Sequence, residues 1–72
     1  MNNPLTLLDV VALTENLPEY GLHRGQVGTV VEILAPNVYE VEFSDDEGQA
    51  YAMQALSADQ LMVLHYHFLK AA

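Results

Sequence analysis

Three constellations in this 72-residue chain carry side chains able to do chemistry. In DDEG, Asp45 to Gly48, three adjacent carboxylates offer the oxygen ligands that a divalent cation such as calcium prefers. Neighbouring carboxylates project in different directions, and the run lacks the ligand spacing of a calcium loop, so it reads as a solvated hairpin turn. In HYH, His65 to His67, two imidazoles two residues apart share one face of a strand and suit zinc or nickel. A third ligand is needed, and nothing in the sequence brings His23 or a carboxylate to them. The pair reads as ordinary histidines in a terminal strand or an interface, and neither a metal nor another cofactor is expected. The third constellation is Glu32, Glu40 and Glu42, which strand periodicity places outward on neighbouring strands. Like charges across a strand pair weaken a sheet modestly, so a purely structural sequence would gain from a lysine there. An acidic face of this kind suits a basic partner, or keeps a strand from pairing promiscuously.

Catalysis finds little support in the residue pattern. The hydroxyls of Thr6, Thr14, Thr29, Ser44 and Ser57 fall in strands, turns or a helical cap, with no spacing that links one of them to a histidine base. Paired carboxylates are easy to find among ten, but acid–base chemistry also needs a concave pocket, and the interior of a very small barrel is filled by side chains. The expectation is a protein that is not an enzyme. Tyr20, in a long loop, and Tyr39, Tyr51 and Tyr66 elsewhere are the best contact-forming side chains, though Tyr39 and Tyr51 are expected on the inward face.

The elements that must position these residues follow from short runs of period two. LLDVVALT gives a first strand at Leu8 to Leu13, and ENLPEYGLHRG is a long irregular connection punctuated by Pro18, Gly21 and Gly25. QVGTVVEIL resumes β-branched character, with Thr29, Val31 and Ile33 on one face and Val30, Glu32 and Leu34 on the other; Gly28 marks a bulge or sharp coiling near its start. After a turn at Ala35 to Asn37, VYEVEF alternates with Tyr39, Val41 and Phe43 inward. QAYAMQAL forms a fourth strand, SADQ a single tight helical turn capped by Ser57, and LMVLHY a fifth strand. This order predicts an all-β fold, a small SH3-like five-stranded barrel with a short 3-10 turn before the last strand. Its expected core is Val11, Leu13, Val31, Ile33, Tyr39, Val41, Phe43, Met53, Leu61 and Val63. Residues 1–72 form a single domain, with the barrel at about 7–64 and a tail at 65–72.

Composition bounds the partners. Two cations against ten carboxylates give a net charge of −8, and Arg24 and Lys70 are too far apart in sequence to make a basic track, so direct nucleic-acid binding is not expected. No apolar run approaches bilayer-spanning length and the N-terminus lacks the pattern of a secretory signal, so a cytoplasmic protein without membrane contact is expected. Without cysteine, so small a domain depends on packing or on association with another chain.

The stretch RGQVGTVVEI, Arg24 to Ile33, resembles the KOW-like glycine motif of small barrels in ribosomal proteins and transcription elongation factors. More extensively, LLDVVALTENLPEYGLHRGQVGTVVEIL, YEVEFSDDEGQAYAMQAL and SADQLMVL together resemble a family of small bacterial, often cyanobacterial, proteins known as domain of unknown function 4926. That resemblance spans about Leu7 to Leu64 and implies the barrel architecture, with no assigned catalytic residue. It implies a standalone or appended binding module, antitoxin-like or an accessory subunit. The expected function is therefore a protein-interaction module that meets a basic protein partner through Glu32, Glu40 and Glu42, with Tyr20, His65 and Phe68 as further contact residues. The alternatives are a nucleic-acid or ribosome-associated barrel, and a structural protein that self-associates as a homo-oligomer through Phe68 and Leu69 in its C-terminal tail.

Overall fold

Short runs rich in valine, isoleucine, tyrosine and phenylalanine, broken by Pro, Gly and Asn, favour strands joined by tight turns. A computed structural model of the chain, describing residues 5–65, has five: β1 (Val10–Leu13), β2 (Val27–Ala35), β3 (Val38–Ser44), β4 (Ala50–Ser57) and β5 (Leu61–Val63). Short 3-10 turns occupy Pro18–Tyr20 and Ala58–Gln60. All four pairings are antiparallel, in one sheet of order β4-β3-β2-β1-β5. The fold is all-β, with a 3-10 turn directly before the last strand as expected, and β4 and β5 form the edges of the hydrogen-bonded ladder. No helix among the described residues is long and apolar enough to cross a membrane.

The core draws on every strand and on the segments before and after β1. Leu5, Val11, Ala12, Leu13, Leu17, Leu22, Val30, Tyr39, Val41, Phe43, Leu56 and Leu61 are buried, and Ala52, Ala58 and Val63 pack against them. Of the expected core, Val31, Ile33 and Met53 instead lie exposed, at 36%, 39% and 52%. The reasons differ: Val31 is set aside by a bulge, Met53 lies opposite Glu42 on the outer face, and Ile33 pairs with Tyr39 but stays exposed just before a second bulge. In β2, Val30 pairs with Val41 and Glu32 with Glu40, so Val31 is an extra residue; a second shift falls between Ile33 and Ala35. A bulge inserts one residue and reverses the alternation beyond it. In β4, Phe43 pairs with Ala52 and Ser44 with Ala50, making Tyr51 the extra residue. Ala52 and Leu56 therefore face the core, while Tyr51 is half exposed, not inward as expected. Its ring lies tilted against Phe43 with centroids 6.4 Å apart, and its hydroxyl accepts a 2.9 Å bond from Gln26 Nε2.

Gly28 is required for a different reason from the bulge expected of it. It stays in register opposite Phe43 and Val11. A Cβ there would sit 2.7 Å from Val41 Cγ1, 2.8 Å from the Glu42 carbonyl oxygen and 2.9 Å from Phe43 Cδ1, so glycine allows β2 to press onto β3. β1 starts at Val10, two residues later than expected, because Leu8 has φ +72° and cannot continue an extended strand. Leu8 nevertheless donates its N–H to the Val30 carbonyl, and Val30 donates to Asp9, so β2 is held to the chain ahead of β1.

The long first connection folds back on itself. Leu17 and Leu22 exchange backbone hydrogen bonds of 2.9 and 3.1 Å across the Pro18–Tyr20 turn, and Gly21 closes it at φ +69°. Both leucines are thereby buried. The Ala58–Gln60 turn is held by Gln60, whose Oε1 accepts the Ser57 N–H while its Nε2 donates to Glu15. Thr14 adds a bond from its hydroxyl to the Asp59 carbonyl, tying the end of β1 to this turn.

Tyr39 is fully buried, and its hydroxyl has no hydrogen-bond partner among the described residues. A buried hydroxyl without a partner forgoes its hydration and gains nothing in return. Tyr39→Phe is accordingly expected to leave urea-unfolding stability unchanged or to raise it by up to about 1 kcal/mol. A loss larger than about 1 kcal/mol would show that the hydroxyl is paired in the folded protein.

Candidate interaction face

The candidate site is built by two strands and one bulge. Along β3 the side chains of Tyr39, Val41 and Phe43 enter the core, which turns Glu40 and Glu42 to the opposite face. Strict alternation along β2 would put Val30 and Glu32 on one face. The bulge at Val31 separates them, sending Val30 into the core and leaving Glu32 exposed and opposite Glu40. Glu42 lies opposite Thr29 of β2 on one side and Met53 of β4 on the other, and Glu40 lies between Glu32 and Ala55. The outer face of the central strands thus carries a row Glu32, Glu40, Ala55 beside a row Thr29, Glu42, Met53.

Opposed residues in an antiparallel pair have Cβ atoms about 4.5–5.5 Å apart, so Glu32 and Glu40 confront each other directly. Two unit charges about 6 Å apart repel by about 0.7 kcal/mol in water. Within residues 5–65 the only lysine or arginine is Arg24, which sits in the loop before β2 and donates its backbone N–H to Asn16 Oδ1. No cation of the sheet itself lies among these carboxylates, and Glu40 and Glu42 are half-buried. Glu40→Gln is expected to raise unfolding stability by about 0.5 kcal/mol, the effect shrinking in high salt. A fall in stability on urea unfolding would mean that Glu40 is held by a favourable partner.

The structure brings together Glu32, Glu40 and Glu42 and leaves the other expected contact residues apart from them. Tyr20 is exposed on the first 3-10 turn, off the sheet, and His65 is exposed just past β5 at the sheet's far edge. Phe68, with His67 and Leu69, lies outside the described residues. Sequence reasoning missed the outer edge of β4, where exposed Met53 flanks the acidic rows. A signal was present: AYAMQALS contains neither a charge nor a proline.

Other constellations resolve into local structure. Asp45 Oδ1 accepts the backbone N–H groups of Glu47 and Gln49, both at 2.9 Å, and Gly48 closes the turn at φ +81°. That carboxylate shapes the β3–β4 turn. The Thr6 hydroxyl bonds Asp9, the Thr14 hydroxyl bonds a backbone carbonyl, and the Ser57 hydroxyl lies between Asp59 and Gln60. Among the described residues no three histidine or carboxylate side chains converge where they would hold a metal ion.

Residues 7–63 match the sequence profile of the family described as domain of unknown function 4926. The chain belongs to this family. The match runs from just before β1 through β5, so the family domain contains the whole sheet, both 3-10 turns and the acidic rows. No curated protein and no solved structure matches the chain.

Proposed function

We propose that this member of the family is a non-enzymatic protein-interaction module that binds a basic protein through Glu32, Glu40 and Glu42. The antiparallel order, the long first connection and the 3-10 turn before β5 support reading the sheet as an SH3-like barrel, a scaffold whose surface rather than its filled interior carries function. One observation carries the functional reading. A glutamate pair stands directly opposed on the central strands, with no sheet cation beside it, at a cost to stability that a neutral residue would avoid. A basic partner converts that repulsion into attraction and speeds encounter. An antitoxin-like or accessory-subunit role fits a small acidic module of this kind, and the net charge of −8 disfavours nucleic acid as the ligand.

The test is affinity capture from native-host lysate with the full chain and with the E32Q/E40Q/E42Q variant. Recovery of a basic protein by the wild type and its loss from the folded variant are expected. Equal recovery by both, or no protein partner at all, would overturn the reading.

A further inference from the structure

The mode of docking can be taken further, and it rests on the reading of the acidic face just given. We infer that the basic partner binds as an added strand on the outer side of β4, with lysine or arginine at alternate positions over the acidic rows.

β4 is eight residues long and pairs only with β3 among the described residues. The direction of its backbone groups follows from one bond beyond its end. Ala58 donates to the Asn37 carbonyl, one step past the Val38–Ser57 pair. Antiparallel alternation then turns the N–H and C=O groups of Leu56 and Gln54 toward β3, and those of Ser57, Ala55 and Met53 outward. Ser57 bears this out, since its N–H is given to Gln60 Oε1. Among the described residues Ala55 and Met53 remain as an open edge, and their side chains lie on the same face as Glu40 and Glu42.

Edge strands are ordinarily protected by shortness, charge or proline. β5, the other edge, is only three residues long. β4 is long, uncharged and free of proline, and its bulge at Tyr51 lies before the Met53–Ala55 stretch, which suits a strand that receives another chain. Charge selects the occupant. In a strand added beside β4, a residue opposite Ala55 would lie in line with Glu40 and Glu32, and the small alanine leaves room for a long cationic side chain to cross toward them. A residue opposite Met53 would place its aliphatic stem on the exposed thioether and its charge toward Glu42. A second copy of this chain would instead bring together two acidic chains, each of net charge −8.

The probe is a capped synthetic peptide of about eight residues alternating lysine with valine, with a glutamate–valine peptide as control. The wild type is expected to bind the lysine peptide and not the control, and hydrogen exchange of the Met53 and Ala55 amides is expected to slow on binding. Met53→Pro removes an outward donor without touching the β3 ladder, so it should fold and bind about tenfold more weakly, while Met53→Ala, which keeps the backbone donor and loses only the thioether contact, should weaken binding clearly less than Met53→Pro does. Ala55→Pro is a second blocking variant, and the exchange measurement on the wild type needs no variant to fold. If E32Q/E40Q/E42Q weakens binding but the proline variants do not, and the two amides gain no protection, edge docking is overturned while the acidic-face reading stands. If neither set of variants matters, both are overturned. A wild-type dimer in sedimentation that Met53→Pro dissociates would assign the edge to self-pairing and likewise overturn the proposal.

Discussion

Replacing Phe43 with alanine is expected to remove about 3–5 kcal/mol of folding stability, a large share of the roughly 4–11 kcal/mol typical of a chain this long. Phe43 is fully buried in the core, faces Gly28 of β2 and Ala52 of β4, and supports the tilted ring of Tyr51. Truncation leaves a cavity bounded by β2 and β4, and it removes the surface on which Tyr51 rests while its hydroxyl holds Gln26. So small a domain has little other core to compensate. Urea unfolding of the variant should begin near zero denaturant, and a midpoint close to the wild type's would contradict the packing described.

Gly28→Ala is the second large effect, with an expected loss of about 2–3 kcal/mol, at the upper end for a small overpacking substitution. Two of the atoms its methyl would strike are side-chain carbons able to move, but the Glu42 carbonyl oxygen belongs to the neighbouring strand's backbone. Relief therefore requires β2 and β3 to separate. Adding Phe43→Leu removes one clash and should recover only part of the loss, because the carbonyl contact persists. Gly25→Ala offers a useful comparison. Its φ of +91° strains any L residue, yet a Cβ there meets nothing within 4 Å, so a smaller cost of about 1–2 kcal/mol is expected. Urea midpoints for these variants check the order, and Gly28→Ala unfolding like the wild type would contradict the close approach of β2 to β3.

Much of the architecture was legible in the sequence because alternation and turn residues agree with one another. VYEVEF between Asn37 and the SDDEG turn specifies β3 and its two faces without outside help, and SADQ specifies the turn before β5. What could not be read is where alternation is interrupted. Nothing local marks Val31 or Tyr51 as an extra residue, since each is a good strand former and each bulge is imposed by pairing with β3. The inward face of β4 is hidden for another reason: AYAMQALS is apolar on both faces, and only pairing with β3 sends Ala52 and Leu56 inward and Met53 outward, while Leu17 and Leu22 lie in a connection that is buried only because it folds back on itself. Glu32 was placed outward correctly, but through the bulge and not through simple alternation. The expected opposition of Glu32 to a glutamate of β3 is realised with Glu40. The open side of β4 depends on sheet order, which no single segment reveals.

The acidic rows therefore owe their position to the same irregularities that shape the core. The most direct test of their role is a calorimetric titration of the lysine–valine peptide into the wild type and the E32Q/E40Q/E42Q variant at low and moderate salt. Wild-type affinity should fall steeply with salt, and the variant should bind about tenfold or more weakly with a flatter dependence, while unfolding at a higher urea concentration than the wild type. Equal affinity and equal salt dependence in the two proteins would contradict the assignment of this face to a basic partner.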